Sequence, residues 1–466
     1  MRWWLVSGVV AACSSDPTPS GESGSTTDVP DTTSTSTSTS TTAPGTSSED
    51  STSSDDSTSS DGSSGAPQEP IEVFFPRTSI QPEQLGVVVN DNDPLSVGVA
   101  TYYATARGIP EANVFHLSFA TGGVLPEAEF APIYEDLYAQ LPDEILGLAL
   151  TFTNPYRVDC MSVTSAFALG FDPIYCNTSG GACGDTAAVD YFDSASLDPW
   201  ADHAMRPTMM IAATSLENAQ ALIDRGIASD GTHPTGDGWF VRTTDAARSV
   251  RYLEFLATIE DWDRTLTLDY VDNSGGTGLD YIENTTDVLF YFTGLADVPQ
   301  IATNTYLPGA IADHLTSYGG QVPDSGQMSA LRWLEAGATG SFGTVVEPCN
   351  ILAKFPNTSV LLPHYFRGES LLEAYWKSVS WPGEGLFIGE PLAKPWDGSS
   401  WTFVDGTLTI TTNLLVPGID YDVQWAPAPD GPWTTEITGS IPTTQTFDLV
   451  VANAWHPYWR LQAVDP

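Results

Sequence analysis

His314 and Cys349 are the two residues whose types and spacing best fit hydrolytic chemistry. The histidine comes first, in a polar stretch after Pro308 and Gly309, and the cysteine directly follows a predicted strand. A cysteine hydrolase needs a thiolate with an imidazole within hydrogen-bond reach, so this pair predicts a catalytic dyad. In the competing interpretation Cys349 belongs to a disulfide and His314 caps a helix. We favour the disulfide, because the N-terminal segment predicts export.

Four cysteines remain once Cys13 is assigned to that N-terminal segment. An even number of cysteines in an exported protein predicts two disulfides, and three pairings are open. A bridge between Cys176 and Cys183 would close a short Gly-containing loop, and a bridge between Cys160 and Cys349 would then join two strand ends. A metal site is disfavoured, because the chain has no CxxC motif and only six histidines.

Four polar residues outline a candidate cleft, and two of them, Arg157 and Glu347, lie at predicted strand ends. Its members are Arg157, Asp313, Ser317 and Glu347. Arg157 and Glu347 would either face a ligand across this cleft or pair with each other. Because parallel sheets place their chemistry at the carboxyl ends of strands, this edge is where a binding site is expected.

Two turn segments offer oxygen ligands for Ca²⁺. The first carries Asn90, Asp91 and Asp93, and the second carries Asp272, Asn273 and Asp280. Neither has the spacing of an EF-hand loop. We expect these carboxylates to be solvated or to cap helices, with Asp93 starting a helix, and we predict no cofactor.

Short apolar strands and amphipathic helices alternate through residues 69–395. The run at 86–90 is β-branched, which is typical of a strand buried on both faces, and Gly108 fits the C-terminal cap of a helix over 96–107. Further strands are predicted at 113–119, 145–151, 209–212, 287–293 and 340–346, and further helices at 130–141, 216–227, 248–258, 329–336 and 370–379. This alternation predicts an α/β domain with a mostly parallel sheet flanked by helices.

Residues 396–466 have a different pattern, with short alternating strands separated by Gly, Pro and Asp turns. The segment predicts a small all-β sandwich that resembles the fibronectin-III-like modules of secreted bacterial proteins. Its tryptophans would either stack on sugars or, as is more common at alternating strand positions, belong to the core. They are Trp425, Trp433, Trp455 and Trp459.

The N-terminus reads as an export signal followed by a tether. Arg2 precedes an apolar block, and Val10-Ala11-Ala12-Cys13 resembles a bacterial lipobox, which predicts lipidation of Cys13 within a signal over residues 1–13. By family analogy, the following Ser14 favours the outer membrane over retention in the inner membrane, so we expect an exported lipoprotein of the outer membrane or cell surface. Ser and Thr make up more than half of residues 14–68, which lack Lys and Arg, so we expect a disordered tether.

The charge of the chain excludes one class of partner. Asp and Glu number 59 against 16 Lys and Arg, for a net charge of −43. Nucleic acid must be met by clustered cations, so it is not an expected partner. The expected partners are a membrane, reached only through the N-terminal lipid, and a protein or glycan at the cell surface.

Several motifs together resemble a family of secreted bacterial proteins found in genomes that carry exosortase protein-sorting systems. They span residues 87–94, 103–110, 307–320, 337–350 and 385–396, and the most specific is Ala312-Asp313-His314-Leu315-Thr316-Ser317-Tyr318-Gly319-Gly320. This family has no established activity, so the resemblance implies context rather than mechanism. The chain ends without an apolar helix and basic tail, so we do not expect it to be an exosortase substrate itself.

A more distant resemblance is to gingipain-type cysteine peptidases of the caspase-like fold. It follows the order of a first strand and helix, a late strand ending at Gly294, a Gly-rich strand and a C-terminal β-sandwich. In gingipains the late strand ends in Gly-His-Gly, and the histidine is the catalytic base. Here Leu295 follows Gly294. The resemblance therefore implies the fold more strongly than the activity.

These observations lead to two functional hypotheses. The first is a surface lipoprotein whose degenerate peptidase-like domain acts in binding or envelope assembly. The second is a cysteine hydrolase that uses His314 as base and Cys349 as nucleophile. They differ in whether the sulfur of Cys349 is free or bridged.

Overall fold

The computed structural model describes residues 71–176, 183–262, 266–442 and 445–464. The signal, the lipobox Cys13 and the tether over 14–68 lie outside the described residues. Within the described ranges, no helix is both long enough and apolar enough to cross a membrane.

The strands before residue 395 are β1 (Glu72–Phe74), β2 (Leu85–Asn90), β3 (Val114–Leu117), β4 (Val124–Leu125), β5 (Gly147–Leu150), β6 (Arg157–Val158), β7 (Met161–Ser162), β8 (Thr208–Met210), β9 (Asp237–Arg242), β10 (Thr267–Asp272), β11 (Val288–Thr293), β12 (Tyr306–His314), β13 (Gly340–Thr344) and β14 (Gly385–Gly389). The later strands are β15 (Ser400–Val404), β16 (Thr407–Thr412), β17 (Tyr421–Ala426), β18 (Thr434–Gly439), β19 (Phe447–Ala452) and β20 (Tyr458–Ala463). The helices are α1 (Pro94–Arg107), α2 (Glu127–Gln140), α3 (Val163–Leu169), α4 (Pro199–His203), α5 (Leu216–Ser229), α6 (Tyr252–Trp262), α7 (Leu331–Ala336), α8 (Thr358–Phe366) and α9 (Leu371–Lys377).

A ten-stranded sheet forms the centre of the α/β body, in the order β10-β9-β11-β12-β13-β14-β8-β5-β2-β3. Every neighbouring pair is parallel except β13 and β14. The strands on the two sides of this antiparallel junction therefore run in opposite directions. The carboxyl ends of β9, β11, β12 and β13 share one edge, and those of β2, β5 and β8 lie at the other. The prediction of a mostly parallel α/β sheet flanked by helices is confirmed.

The first strand and helix show how local sequence produces this architecture. All six residues of β2 are buried, as the β-branched run predicts. The Asp93 side chain accepts a hydrogen bond from the amide of Leu95 and begins α1, and Gly108 ends the helix with a φ of 68°. Both caps satisfy backbone groups that a helix leaves unpaired at its ends; the first cap is a side chain, and the second is the left-handed backbone that glycine permits.

Strand β12 lies where the sequence predicted a polar loop around His314. Pro308 cannot donate to a sheet ladder, and Gly309 has a φ of 87°, so the pairing with β11 shifts register at this point. The side chains of Thr339 and Tyr365 hydrogen-bond the amide and carbonyl of Gly309, over 2.9 and 3.0 Å. These bonds replace the missing ladder, and β12 continues to His314 as a buried strand.

Residues after 396 form two small sheets. One has the order β15-β16-β19 and is antiparallel, and the other has the order β1-β20-β17-β18. In the second sheet β1, from the segment before the α/β body, pairs in parallel with β20. The segment at 72–74, which the sequence grouped with the α/β domain, thus completes a sheet of the C-terminal region. A further small sheet, β4-β6-β7, lies within the body.

Candidate functional site

A cleft of about 220 Å³ opens beside the carboxyl ends of β12 and β13. We call it the strand-end cleft. Its lining residues are Ala247, Arg248, Leu315, Thr316, Ser317, Glu347, Cys349 and Asn350. Two of the predicted cleft residues, Ser317 and Glu347, therefore lie in it. Arg157 is not among the lining residues; it lies on β6 in the small side sheet.

His314 ends β12 but is buried, with 2% of its surface exposed. Its Nδ1 accepts a hydrogen bond from the indole Nε1 of Trp333 over 3.0 Å. Since Nδ1 is the acceptor, Nε2 carries the proton of the neutral ring and donates to the carbonyl of Met328 over 3.1 Å. Both ring nitrogens thus have structural partners, and neither faces a nucleophile.

The charge state of His314 follows from the same surroundings. Burial lowers the pKa of the imidazole to about 3, and the nearby charges of Arg251 and Arg248 act in the same direction. Buried histidines resist protonation because the charged form loses its hydration. His314 is therefore neutral at physiological pH and serves as a hydrogen-bonded core residue.

Cys349 forms a disulfide with Cys183. Its amide donates to the carboxylate of Glu347 over 2.9 Å, and its φ is 54°. A bridged sulfur cannot act as a thiolate nucleophile. The strand-end cleft therefore receives neither a free thiol nor a free imidazole nitrogen, and the predicted dyad of His314 and Cys349 is absent.

The second disulfide joins Cys160 and Cys176. Two bridges are therefore present, as predicted, but the pairing is neither Cys176–Cys183 nor Cys160–Cys349. The short bridge instead starts at Cys160, in the turn between β6 and β7, while Cys183 attaches a distant segment to the rim of the cleft. The two disulfides indicate an oxidising, extracytoplasmic compartment.

Asp313, the fourth predicted cleft residue, is buried and is not among the residues that line the cleft. Its Oδ1 accepts a hydrogen bond from Nη2 of Arg251 over 2.5 Å, and the same nitrogen donates to the carbonyl of Thr293 over 2.8 Å. Each of the two charged side chains is at most 2% exposed. Burial raises the pKa of Asp313, and the Arg251 guanidinium opposes that rise. The pair fixes the ends of β11 and β12 to the segment before α6.

The polar floor of the cleft is a connected hydrogen-bond network. Arg248 pairs with Asp245 over 2.6 Å and donates through Nε to the hydroxyl of Thr316 over 3.3 Å. That hydroxyl donates to the side-chain oxygen of Gln327 over 2.5 Å. The cleft thus presents a guanidinium, the Glu347 carboxylate and hydroxyl groups, and its lining includes no histidine or lysine. Such a set can bind a polar ligand but contains no matched nucleophile and base.

Leu295, the residue after Gly294, is an apolar packing residue. It lies two residues after the end of β11 and packs, partly buried, against the cluster that contains Tyr291 and Trp333. No side chain at this position can move a proton.

A serine–histidine contact lies elsewhere, between the segment before α4 and the last residue of that helix. The hydroxyl of Ser194 lies 3.0 Å from Nε2 of His203, and the amide of Ser196 donates to the same hydroxyl over 3.1 Å. Nδ1 of His203 has no hydrogen-bond partner among the described residues. Neither residue lies in a sequence motif, so no local signal pointed to this pair. It has a nucleophile and a base but lacks the group that would orient the base.

The carboxylates considered for Ca²⁺ have protein partners. Asp93 caps α1, and Asp91 contacts Nδ1 of His116 over 2.7 Å. Asp280 accepts from the amide of Thr244 and from the side chain of Asn273, each over 2.7 Å. Among the described residues, no group of three or more His, Cys, Asp or Glu side chains is placed to hold a metal ion.

Comparison with known proteins adds little to this geometry. No protein-family model and no curated protein matches the chain. A solved structure described as "Structure of Protease" is similar over 82% of this chain and 97% of its own, with a TM-score of 0.36 and 11% sequence identity. A likeness at this level carries no argument about family or activity, so the functional argument depends on the site.

Proposed function

We propose that the protein is a surface-anchored lipoprotein whose α/β body binds a ligand at the strand-end cleft and does not cleave it. In this proposal the body is a degenerate, peptidase-like domain of the caspase type, followed by a fibronectin-III-like module. Lipidation at Cys13 would place it at the outer membrane or cell surface, in adhesion or envelope assembly. The observation that carries the proposal is the pairing of both His314 nitrogens together with the bridged sulfur of Cys349.

The composition of the cleft supports binding. Arg248 is held in place by Asp245 and Thr316, so little side-chain entropy is lost when its remaining donors meet a ligand. Glu347 is likewise held, through the amide of Cys349. A preordered cation and a preordered carboxylate at one cleft suit a polar, zwitterionic or hydroxyl-rich ligand.

The first test asks whether any hydrolase is present. The mature protein is incubated with a library of fluorogenic peptides and esters, and with iodoacetamide and fluorophosphonate probes under non-reducing conditions. We expect no turnover and no labelling. Turnover that is lost in Ser194→Ala but kept in the control Ser274→Ala, an exposed serine without a histidine partner, would overturn the binding proposal.

That same outcome would establish a second candidate function, a serine hydrolase that uses Ser194 and His203. The contact of 3.0 Å between the hydroxyl and Nε2 favours it. The cysteine hydrolase with the His314–Cys349 dyad would require a reduced Cys349, and iodoacetamide labelling of Cys349 before any reductant is added would revive it.

The second test measures binding. Purified cell-envelope fraction from the producing cells is immobilised, and retention of the mature protein is compared with that of Arg248→Ala. We expect Arg248→Ala to reduce retention. Arg242→Ala is the matched control, because Arg242 also pairs with an aspartate but lies outside the cleft. Equal retention of all three proteins would contradict a role for the cleft.

A further inference from the structure

The outer face of the sheet β1-β20-β17-β18 carries three aromatic side chains around one arginine. Along β20, Trp459 and Leu461 are buried at 1% and 2% exposure, so the alternating Tyr458 and Arg460 face outward. Phe74 pairs opposite Arg460 on β1, and Trp433 precedes β18. We call Phe74, Trp433, Tyr458 and Arg460 the aromatic face.

The rings of the aromatic face are ordered against one another. Phe74 and Tyr458 stack with an interplanar angle of 17° and centroids 6.4 Å apart, and Trp433 meets Phe74 edge-on at 6.1 Å. All three rings are partly exposed. They come from three separate chain segments, so their grouping is a product of the fold and is not visible as a motif.

Arg460 is the only lysine or arginine after Lys394. Its guanidinium lies 4.5 Å from the centre of the Trp433 ring, and its Nε donates to the side-chain oxygen of Gln424 over 2.6 Å. Gln424 is held in turn by Asp422 and Thr435, each over 3.1 Å. The two Nη groups have no hydrogen-bond partner among the described residues. Arg460 is thus held in one orientation, and its two Nη groups remain available to donate hydrogen bonds to a ligand.

We propose that the aromatic face is a binding site for a neutral glycan. A hexose ring has an apolar face of C–H groups, which packs on aromatic rings, and neighbouring hydroxyls at its edge, which accept two parallel hydrogen bonds from a guanidinium. The aromatic face supplies both within one patch. The net charge of −43 disfavours a polyanion such as a uronate polymer, so the ligand class is a neutral polysaccharide.

This inference does not depend on the strand-end cleft, because the two surfaces share no residue.

The other tryptophans that the sequence suggested as sugar-stacking residues have different surroundings from Trp433. Trp459 is core, and Trp425 stacks on His456 with centroids 3.5 Å apart. Trp455 is 57% exposed and packs edge-on against Phe403, which lies on β15 of the other small sheet. Trp455 is therefore the matched control for Trp433.

The test is affinity gel electrophoresis of the mature protein in gels that contain soluble β-glucan, xylan, galactomannan or alginate. We expect retardation in at least one of the three neutral gels. The apparent affinity should fall about tenfold or more in Trp433→Ala and in Arg460→Lys, which keeps the charge but removes the fork. Trp455→Ala should behave as the unmodified protein does.

Several results would overturn the proposal. Absence of retardation in all gels, or equal retardation of Trp433→Ala, would remove the site. Retardation in alginate alone would show that the ligand is a polyanion. Circular dichroism confirms that each variant is folded. If Trp433→Ala fails to fold, Arg460→Lys and the change in tryptophan fluorescence on adding the retarding glycan decide the question.

Discussion

Trp333 donates its indole N–H to Nδ1 of His314 over 3.0 Å, inside the core between β12 and α7. This bond places the proton of the neutral His314 ring on Nε2. His314 is the only histidine that the sequence suggested as a catalytic base. The bond also gives His314 a structural role, which can be measured as a contribution to stability.

Trp333→Phe tests that purpose. The substitution keeps an aromatic ring but removes the donor, which leaves Nδ1 of His314 unpaired in a buried site. We expect the free energy of unfolding to fall by about 1–3 kcal/mol, the usual cost of an unsatisfied buried group. Urea unfolding followed by circular dichroism measures it. Trp455→Phe, at an exposed position, should change stability by less than about 0.5 kcal/mol; equal effects of both variants would contradict the assigned bond.

The lowered pKa of His314 predicts a pH dependence with a defined sign. The folded protein protonates this ring near pH 3, and the unfolded chain does so near the ordinary value of 6.5. Between these values the unfolded state binds more protons, so stability falls as the pH is lowered. The contribution of the neutral His314 ring to the free energy of unfolding is therefore complete above pH 6.5. Below that value it decreases by up to about 1.4 kcal/mol for each pH unit.

His314→Gln isolates this contribution from that of the many carboxylates. Glutamine cannot titrate, so the stability difference between the unmodified protein and His314→Gln should shrink as the pH falls from 6.5 to 4. Denaturant titrations at four pH values give the two curves. Curves that stay parallel would mean that His314 is not buried in its neutral form.

The buried pair of Arg251 and Asp313 predicts a strong asymmetry between single and double variants. Asp313→Ala leaves a guanidinium buried without its partner, and such losses cost about 3–5 kcal/mol. The double variant Arg251→Met, Asp313→Leu removes both charges and should recover most of that loss. Asp272→Asn, at the exposed pair with Arg242, should barely change stability. A double variant less stable than Asp313→Ala would contradict this account.

The two disulfides should contribute unequally to stability. The bridge between Cys183 and Cys349 closes a segment of 166 residues, against 16 for Cys160 and Cys176. In the chain-entropy model these loops correspond to about 5 and about 3 kcal/mol. Two double variants, each lacking one disulfide, are compared by urea unfolding. They are Cys183→Ser with Cys349→Ser, and Cys160→Ser with Cys176→Ser. Non-reducing peptide mapping checks the pairing first, and cross-linked peptides in any other combination would refute it.

The sequence predicted the fold class well wherever local pattern decides structure. The buried strand β2, the helix α1 with both caps and the strand β11 all follow from β-branching, capping residues and turn residues. The prediction was wrong at β12, where a loop was expected, because Pro308 and Gly309 are residues typical of turns. There the missing ladder bonds are replaced by Thr339 and Tyr365, which are distant in the sequence. Tertiary context of this kind has no local signature.

The sequence suggested some residues that line the strand-end cleft, but it did not show the contacts that decide their chemistry. Ser317 and Glu347 do lie in a cleft at strand ends. The roles of His314 and Asp313 depended on Trp333 and Arg251, whose proximity follows only from the folded sheet. The pairing of β1 with β20, which groups Phe74 with Tyr458, could not be predicted either. In the sequence the two strands are separated by the whole α/β body.

Asn413 links the C-terminal region to the α/β body, and its substitution tests how much this link contributes to stability. Its side chain is 3% exposed and donates to the carbonyls of Phe366 and Trp396, the latter over 2.9 Å. Asn413→Ala leaves both carbonyls buried and unpaired, so we expect stability to fall by about 2 kcal/mol. Amide exchange in β15 and β16 should accelerate while β2 stays protected, because the loss is local to the junction. Hydrogen-exchange mass spectrometry of Asn413→Ala, with the exposed Gln462→Ala as control, measures this. Uniform acceleration through β2 would mean instead that the region and the body unfold as one unit.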